Sequence, residues 1–163
     1  MKGLTRGDFE ERIGCWLARS GSAASVVVEE RFPGRRLVGG KYNPVSHQVT
    51  LYRETIREQC LQLFGTDAYA EAFGVVILSH ELGHAEDPDL QELSERLERD
   101  RLPAREKKSL ALRIERNAWK YAYNLLTDSP YAALLQEISY HSLMPYYRAC
   151  HLPARKKKQT ASA

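Results

Sequence analysis

The sequence predicts an α+β fold, a short three-stranded antiparallel sheet packed on a mainly helical core, from three observations. Three β-branched or aromatic runs crowd residues 25–52, divided by Pro33-Gly34 and by Gly39-Gly40 through Asn43-Pro44. Helical periodicity takes over at residue 53 and persists almost to the end of the chain. Within it, Val75, Val76, Ile77 and Leu78 make one helix apolar nearly all round, which puts that helix at the centre of the core.

Each element has its own signal. Phe9, Ile13, Trp16 and Leu17 recur at i, i+4, i+7 and i+8, predicting an amphipathic helix over 8–19 that stops at Ser20-Gly21-Ser22. SVVVEERF, RRLVGG and HQVTLY read as the three strands of a meander. In RETIREQCLQLFG, Ile56, Cys60, Leu63 and Phe64 share one helical face and Gly65 is the stop. The central helix spans 67–86 and ends at Asp87-Pro88, where the aspartate is suited to cap a charged helix over 89–100. In that helix Leu90, Leu93 and Leu97 face inward, and the Glu/Arg pairs form a solvated face. Residues 104–127 make the longest helix, and Ser129-Pro130 opens a last one running toward Met144-Pro145.

With 163 residues, 43% hydrophobic and 28% charged, the chain reads as one globular domain over 1–151 and a basic tail over 152–163 without fixed structure. Cys15, Cys60 and Cys150 stand far apart, an odd number with no CxxC spacing, which predicts no disulfide framework and a reducing compartment. Acids interrupt the amino-terminal stretch where a signal peptide needs an apolar run, and no segment approaches the roughly 18 apolar residues of a membrane span. A cytoplasmic location without membrane contact is therefore expected. The formal charge of +3 is owed to Arg155, Lys156, Lys157 and Lys158; without them the remainder is acidic by one charge. This balance excludes a basic nucleic-acid-binding body and leaves only a weak electrostatic contact through the tail.

Within VILSHELGHAED, His80 and His84 are four apart, so both rings project from one helical face and can hold one tetrahedral Zn²⁺. Glu81 stands about 100° round the axis from His80, off the metal but beside the attacking water, where a general base belongs. Gly83 costs about 1 kcal/mol of helix propensity, tolerable where another backbone or the substrate must come close.

A catalytic zinc takes three protein ligands, and the downstream candidates are Asp87, Asp89, Glu92, Glu115, His141 and His151. The HExxHxxGxxH pattern is absent, since positions 87 and 90 are Asp and Leu, and Asp87 is better suited to capping. Glu115 has the strongest case. It shares a face with Ala111, Ala118 and Ala122, small residues that let two helices approach, and a carboxylate among alanines needs a partner if buried.

HELGH followed by ERNAWKYAYNLL resembles the ImmA/IrrE-type metallopeptidases, small gluzincin-like enzymes of mobile elements, phages and stress-response systems. Glu115, Ala118, Tyr121, Ala122, Leu125 and Leu126 carry the likeness, which spans roughly residues 25–127. Trp119 stands where the family often has Asp or Asn, and Met144-Pro145 follows its Leu-Leu later than usual, so no role passes to that pair. The resemblance implies a zincin-like core with the HExxH helix central and a zinc endopeptidase with metal ligands His80, His84 and Glu115. Glu81 then activates the water. It further implies an edge strand that pairs with substrate backbone, here Gln48, Val49, Thr50, Leu51 and Tyr52, and an oxyanion helper, here His141 or Tyr140. The expected substrate is one specific regulatory protein such as a DNA-binding repressor. The alternative is a zincin-fold binding or regulatory module without activity; a chance motif in a helical interaction protein is the third reading.

Overall fold

A computed structural model describes residues 5–153 and 156. The element order is α1 (Arg6–Ser20), β1 (Ser25–Glu29), β2 (Gly40–Asn43), β3 (Gln48–Tyr52), α2 (Arg53–Phe64), α3 (Ala70–Ala85), α4 (Leu90–Leu97), α5 (Ala104–Leu126) and α6 (Ala132–Ala149). Helix α1 begins at a reciprocal Thr5/Asp8 capping box and ends at Gly21, whose φ of 70° is a left-handed cap. Its buried residues Phe9, Ile13 and Trp16 are three of the four that its periodicity pointed inward. Gly65, at φ 72°, closes α2 in the same manner.

The sheet is mixed, not the predicted antiparallel meander. Strand β3 lies between the other two, parallel to β1 with Ser25 opposite Gln48, and antiparallel to β2 with Gly40 opposite Leu51. Burial accounts for the order: Val49 and Leu51 are fully buried, whereas β1 and β2 alternate between half-buried and exposed positions. The most buried strand is the middle one, although the three valines of β1 make that strand the more apolar in sequence. Gln48, Val49, Thr50, Leu51 and Tyr52 therefore pair on both sides and offer no free edge, which corrects the edge-strand expectation.

The second strand also sits elsewhere. RRLVGG is irregular except for its last glycine, and β2 is Gly40-Lys41-Tyr42-Asn43, residues that read as turn. Pairing with β3, not propensity, makes them a strand. The loop before β2 is tied down from below: Gln59 Nε2 donates to the Leu37 carbonyl at 3.0 Å and the Tyr52 N–H to the Gly39 carbonyl at 2.9 Å.

Helix α3 runs through the centre of the core, buried without interruption from Phe73 to Gly83. Its largest interface is with α5, and α1, α2, α6, β2 and β3 surround the rest. The approach to α5 is set by Gly83, where a Cβ would lie 2.3 Å from the Ala118 carbonyl oxygen and 2.7 Å from its Cα. Ala118 and Ala122 are fully buried at this contact.

Three helices differ in extent from their sequence signals. Helices α3 and α4 are shorter than expected, and α6 runs through Pro145 to Ala149. Asp87 does not cap α4 itself; its carboxylate accepts from the Asp89 N–H at 2.9 Å and from Asn117 Nδ2 of α5 at 3.0 Å, pinning the α3–α4 turn. All three cysteines are free, Cys15 exposed and Cys60 buried. No helix among the described residues is long and apolar enough to cross a membrane. Apart from Leu152, Pro153 and Lys156, the expected tail at 152–163 falls outside the described residues.

Candidate metal centre

Helices α3 and α5 bring together what is far apart in sequence. The Glu115 carboxylate reaches both histidines, with Oε2 3.0 Å from His80 Nε2 and Oε1 3.6 Å from His84 Nε2. Its side chain is only 17% exposed, so it faces the cluster and not solvent. Ala118, one turn farther along α5, lets this happen: its backbone rests on Gly83, and a carboxylate one turn away then spans the narrow gap.

The donor set suits a small divalent ion. A tetrahedral ion with bonds of about 2.0–2.1 Å holds its ligand atoms about 3.3 Å apart, and the two Glu115–histidine separations bracket that value. Ligand atoms of His80, Glu81 and His84 also lie within 4.8 Å of one another. The group that could hold a metal ion is His80, Glu81 and His84, with the Glu115 carboxylate beside both imidazoles. Glu81 does not fall on the Glu115 side of His80; its Oε1 lies 3.3 Å from Nδ1, the opposite ring nitrogen.

That contact orients His80, since a partner on Nδ1 presents Nε2 toward Glu115. It stands in for the polar residue that position 119 lacks. Trp119 contributes differently, stacking on His80 with ring centroids 4.4 Å apart and planes at 29°. The ring of His84 meets that of His80 edge-on at 4.7 Å.

The electrostatics follow from crowding and burial. Burial alone would lower the His80 pKa, but hydrogen bonds and charge from Glu115 and Glu81 outweigh it and hold the ring at about 9. With both nitrogens protonated, His80 donates to both carboxylates. His84 is pushed down by burial and by the neighbouring His80 charge. Burial raises Glu115, but the His80 hydrogen bond and the two imidazoles win, and the carboxyl lies below its usual range. His80 and Glu115 thus face each other as a buried, hydrogen-bonded pair.

The expected oxyanion helpers, Tyr140 and His141, are neighbours on α6. Tyr140 lines a cavity between α5 and α6, and its ring meets that of His141 at 5.4 Å. His141 lies 3.9 Å from Glu137 and lines a hollow of about 390 Å³ with Phe73, Ile77 and Ile138. The α6 residue in the field of the cluster is Tyr146: burial first and then the Glu115 and Glu81 charges push its phenol up, against Arg36. Tyr146 lies beyond Met144-Pro145, where the sequence signal for the helix ends, and α6 carries it because the helix continues to Ala149. One turn of α6 beyond Ser142 was the available signal. Searches against family models, curated proteins and solved structures find no match to this chain.

Proposed function

We propose that this chain is a cytoplasmic zinc-dependent endopeptidase acting on a specific regulatory protein, such as a DNA-binding repressor. The observation that carries the reading is the contact of one Glu115 carboxylate with both helix-borne histidines at ligand-to-ligand distances. Zinc, when bound by His80, His84 and Glu115, supplies Lewis acidity for the scissile carbonyl and for the attacking water. Glu81 is the base assigned to take the proton from that water and return it to the leaving amine, which requires its carboxylate to turn from His80 Nδ1 toward the Nε2 side. A hydrogen-bond donor for the developing oxyanion is also needed, and Tyr146, a half-buried phenol that feels the Glu115 and Glu81 charges, is the α6 side chain to test for it.

Substrate backbone is held by the sheet edge nearest the site. That edge is β2, because a Cβ on Gly40 would lie 2.9 Å from Glu81 Cγ and 2.7 Å from Ile77 Cγ2. The missing side chain leaves room for Glu81 at the point where the strand passes it.

A second reading has its own observation in favour. Without metal, His80, Glu81 and Glu115 already satisfy one another, as they would in a zincin-fold binding module that has lost activity. Metal analysis and Glu81→Gln separate the two. The peptidase reading expects one zinc per chain, lost in a His80→Ala/His84→Ala double variant, and a Glu81→Gln protein that keeps zinc but not hydrolysis. Equal cleavage of the substrate by Glu81→Gln would sink the general-base assignment, and a zinc-free native chain the metal itself.

A further inference from the structure

Helices α5 and α6 line a cavity of about 660 Å³ that Trp119, stacked on His80, helps to wall. This lies within the roughly 300–1,000 Å³ of small-ligand sites. Its charges are of one sign. Arg113, Arg116 and Lys120 come from α5 at i, i+3 and i+7, Lys156 enters from the C-terminal segment, and none of its lining residues is acidic. For a body that is acidic by one charge, three of its cations around one hollow, joined by Lys156 of the C-terminal segment, are a local concentration.

Arg113 reaches only one acid, Asp89 at 3.6 Å, and Lys156 pairs with Glu137 at 2.7 Å. Arg116 and Lys120 form no ion pair among the described residues. Cations on a convex helix face are ordinarily solvated, but a hollow with low-dielectric walls focuses their field on whatever enters. The walls here are aromatic. Tyr140 and Tyr147 face α5 from α6, and Tyr123 stands at the inner end with its hydroxyl 3.0 Å from Ser139 Oγ. Trp119 lines the cavity as well, and its indole N–H is buried without a hydrogen-bond partner.

Arginines and a lysine for phosphate oxygens, with planar rings for a base, are complementary to a phosphorylated ring compound. We propose that this cavity binds a free nucleotide, its phosphates against Arg113, Arg116 and Lys120 and its base against the tyrosines. Because Trp119 is a wall of the cavity and also stacks on His80, occupancy is felt at the histidine cluster. Binding itself does not depend on zinc or on activity.

Trp16 and Trp119 are the two tryptophans, so Trp16→Phe leaves Trp119 as the reporter. Titration of that protein with AMP and ATP is expected to change its emission saturably, and calorimetry on the unaltered chain is expected to give the same affinity. Arg116→Ser/Lys120→Ser, at two exposed positions that leave the fold intact, is expected to weaken binding by about tenfold or more. Inorganic phosphate should compete much less well than AMP. The proposal is overturned if neither nucleotide binds saturably, if the double variant binds unchanged, if phosphate binds as tightly as AMP, or if only single-stranded oligonucleotides bind.

Discussion

At the residue scale, three side chains and one missing side chain define the centre. His80 and His84 can meet one ion because they lie one turn apart, but Glu115 reaches them only because Gly83 lets the Ala118 backbone touch α3. Backbone cannot swing aside as a long side chain can. Gly83→Ala is therefore expected to destabilise the fold by about 3 kcal/mol or more, measured by denaturant unfolding, despite the better helix propensity of alanine. An unchanged midpoint would mean that α3 and α5 are not held so closely. Tyr146 makes a separate residue-scale prediction. Tyr146→Phe removes the donor while leaving the phenyl ring, and should lower kcat about 10²-fold with zinc content and KM little changed. A rise in KM alone would instead place Tyr146 in substrate binding.

At the element scale, the differences between sequence signal and structure share a cause. Strand β2 is built of Gly, Lys, Tyr and Asn, poor strand formers apart from tyrosine, and exists because β3 supplies a hydrogen-bonding partner. Helix α6 passes Pro145 because the contacts that anchor the preceding turns, with Leu135 and Ile138 in the core and Leu143 against it, outweigh one lost backbone hydrogen bond. Pro145 is exposed, so its replacement meets no packing constraint. Pro145→Ala is expected to raise stability by about 1–3 kcal/mol through the restored N–H donor, visible as a higher unfolding temperature. A lower temperature would show that the proline sets a bend that α6 needs.

At the scale of the whole molecule, the core is organised around one helix buried on every side, with the candidate centre at its C-terminal end. Charged groups at that depth are stable only as a satisfied set, and a metal ligated there binds the native chain alone. Added zinc should therefore raise the unfolding temperature. At a free concentration about 100 times the dissociation constant, the gain is about 2.7 kcal/mol. The increment should vanish in His84→Ala. If it persists in that variant, zinc is binding elsewhere on the surface.

Much of this was legible in the sequence: α1, α2, α3 and α5 from apolar period and glycine stops, and the His80/Glu81/His84 spacing from helical geometry. Glu115 was legible too, because alanines on its face signalled a close helix neighbour. These are local properties, written into residues three and four apart. Strand order, the pairing of β2 and the reach of α6 to Tyr146 are not local. They depend on which surfaces the collapsed chain must cover, so only the tertiary structure decided that β3 lies in the middle and that Trp119 both stacks on His80 of the candidate centre and lines a basic cavity.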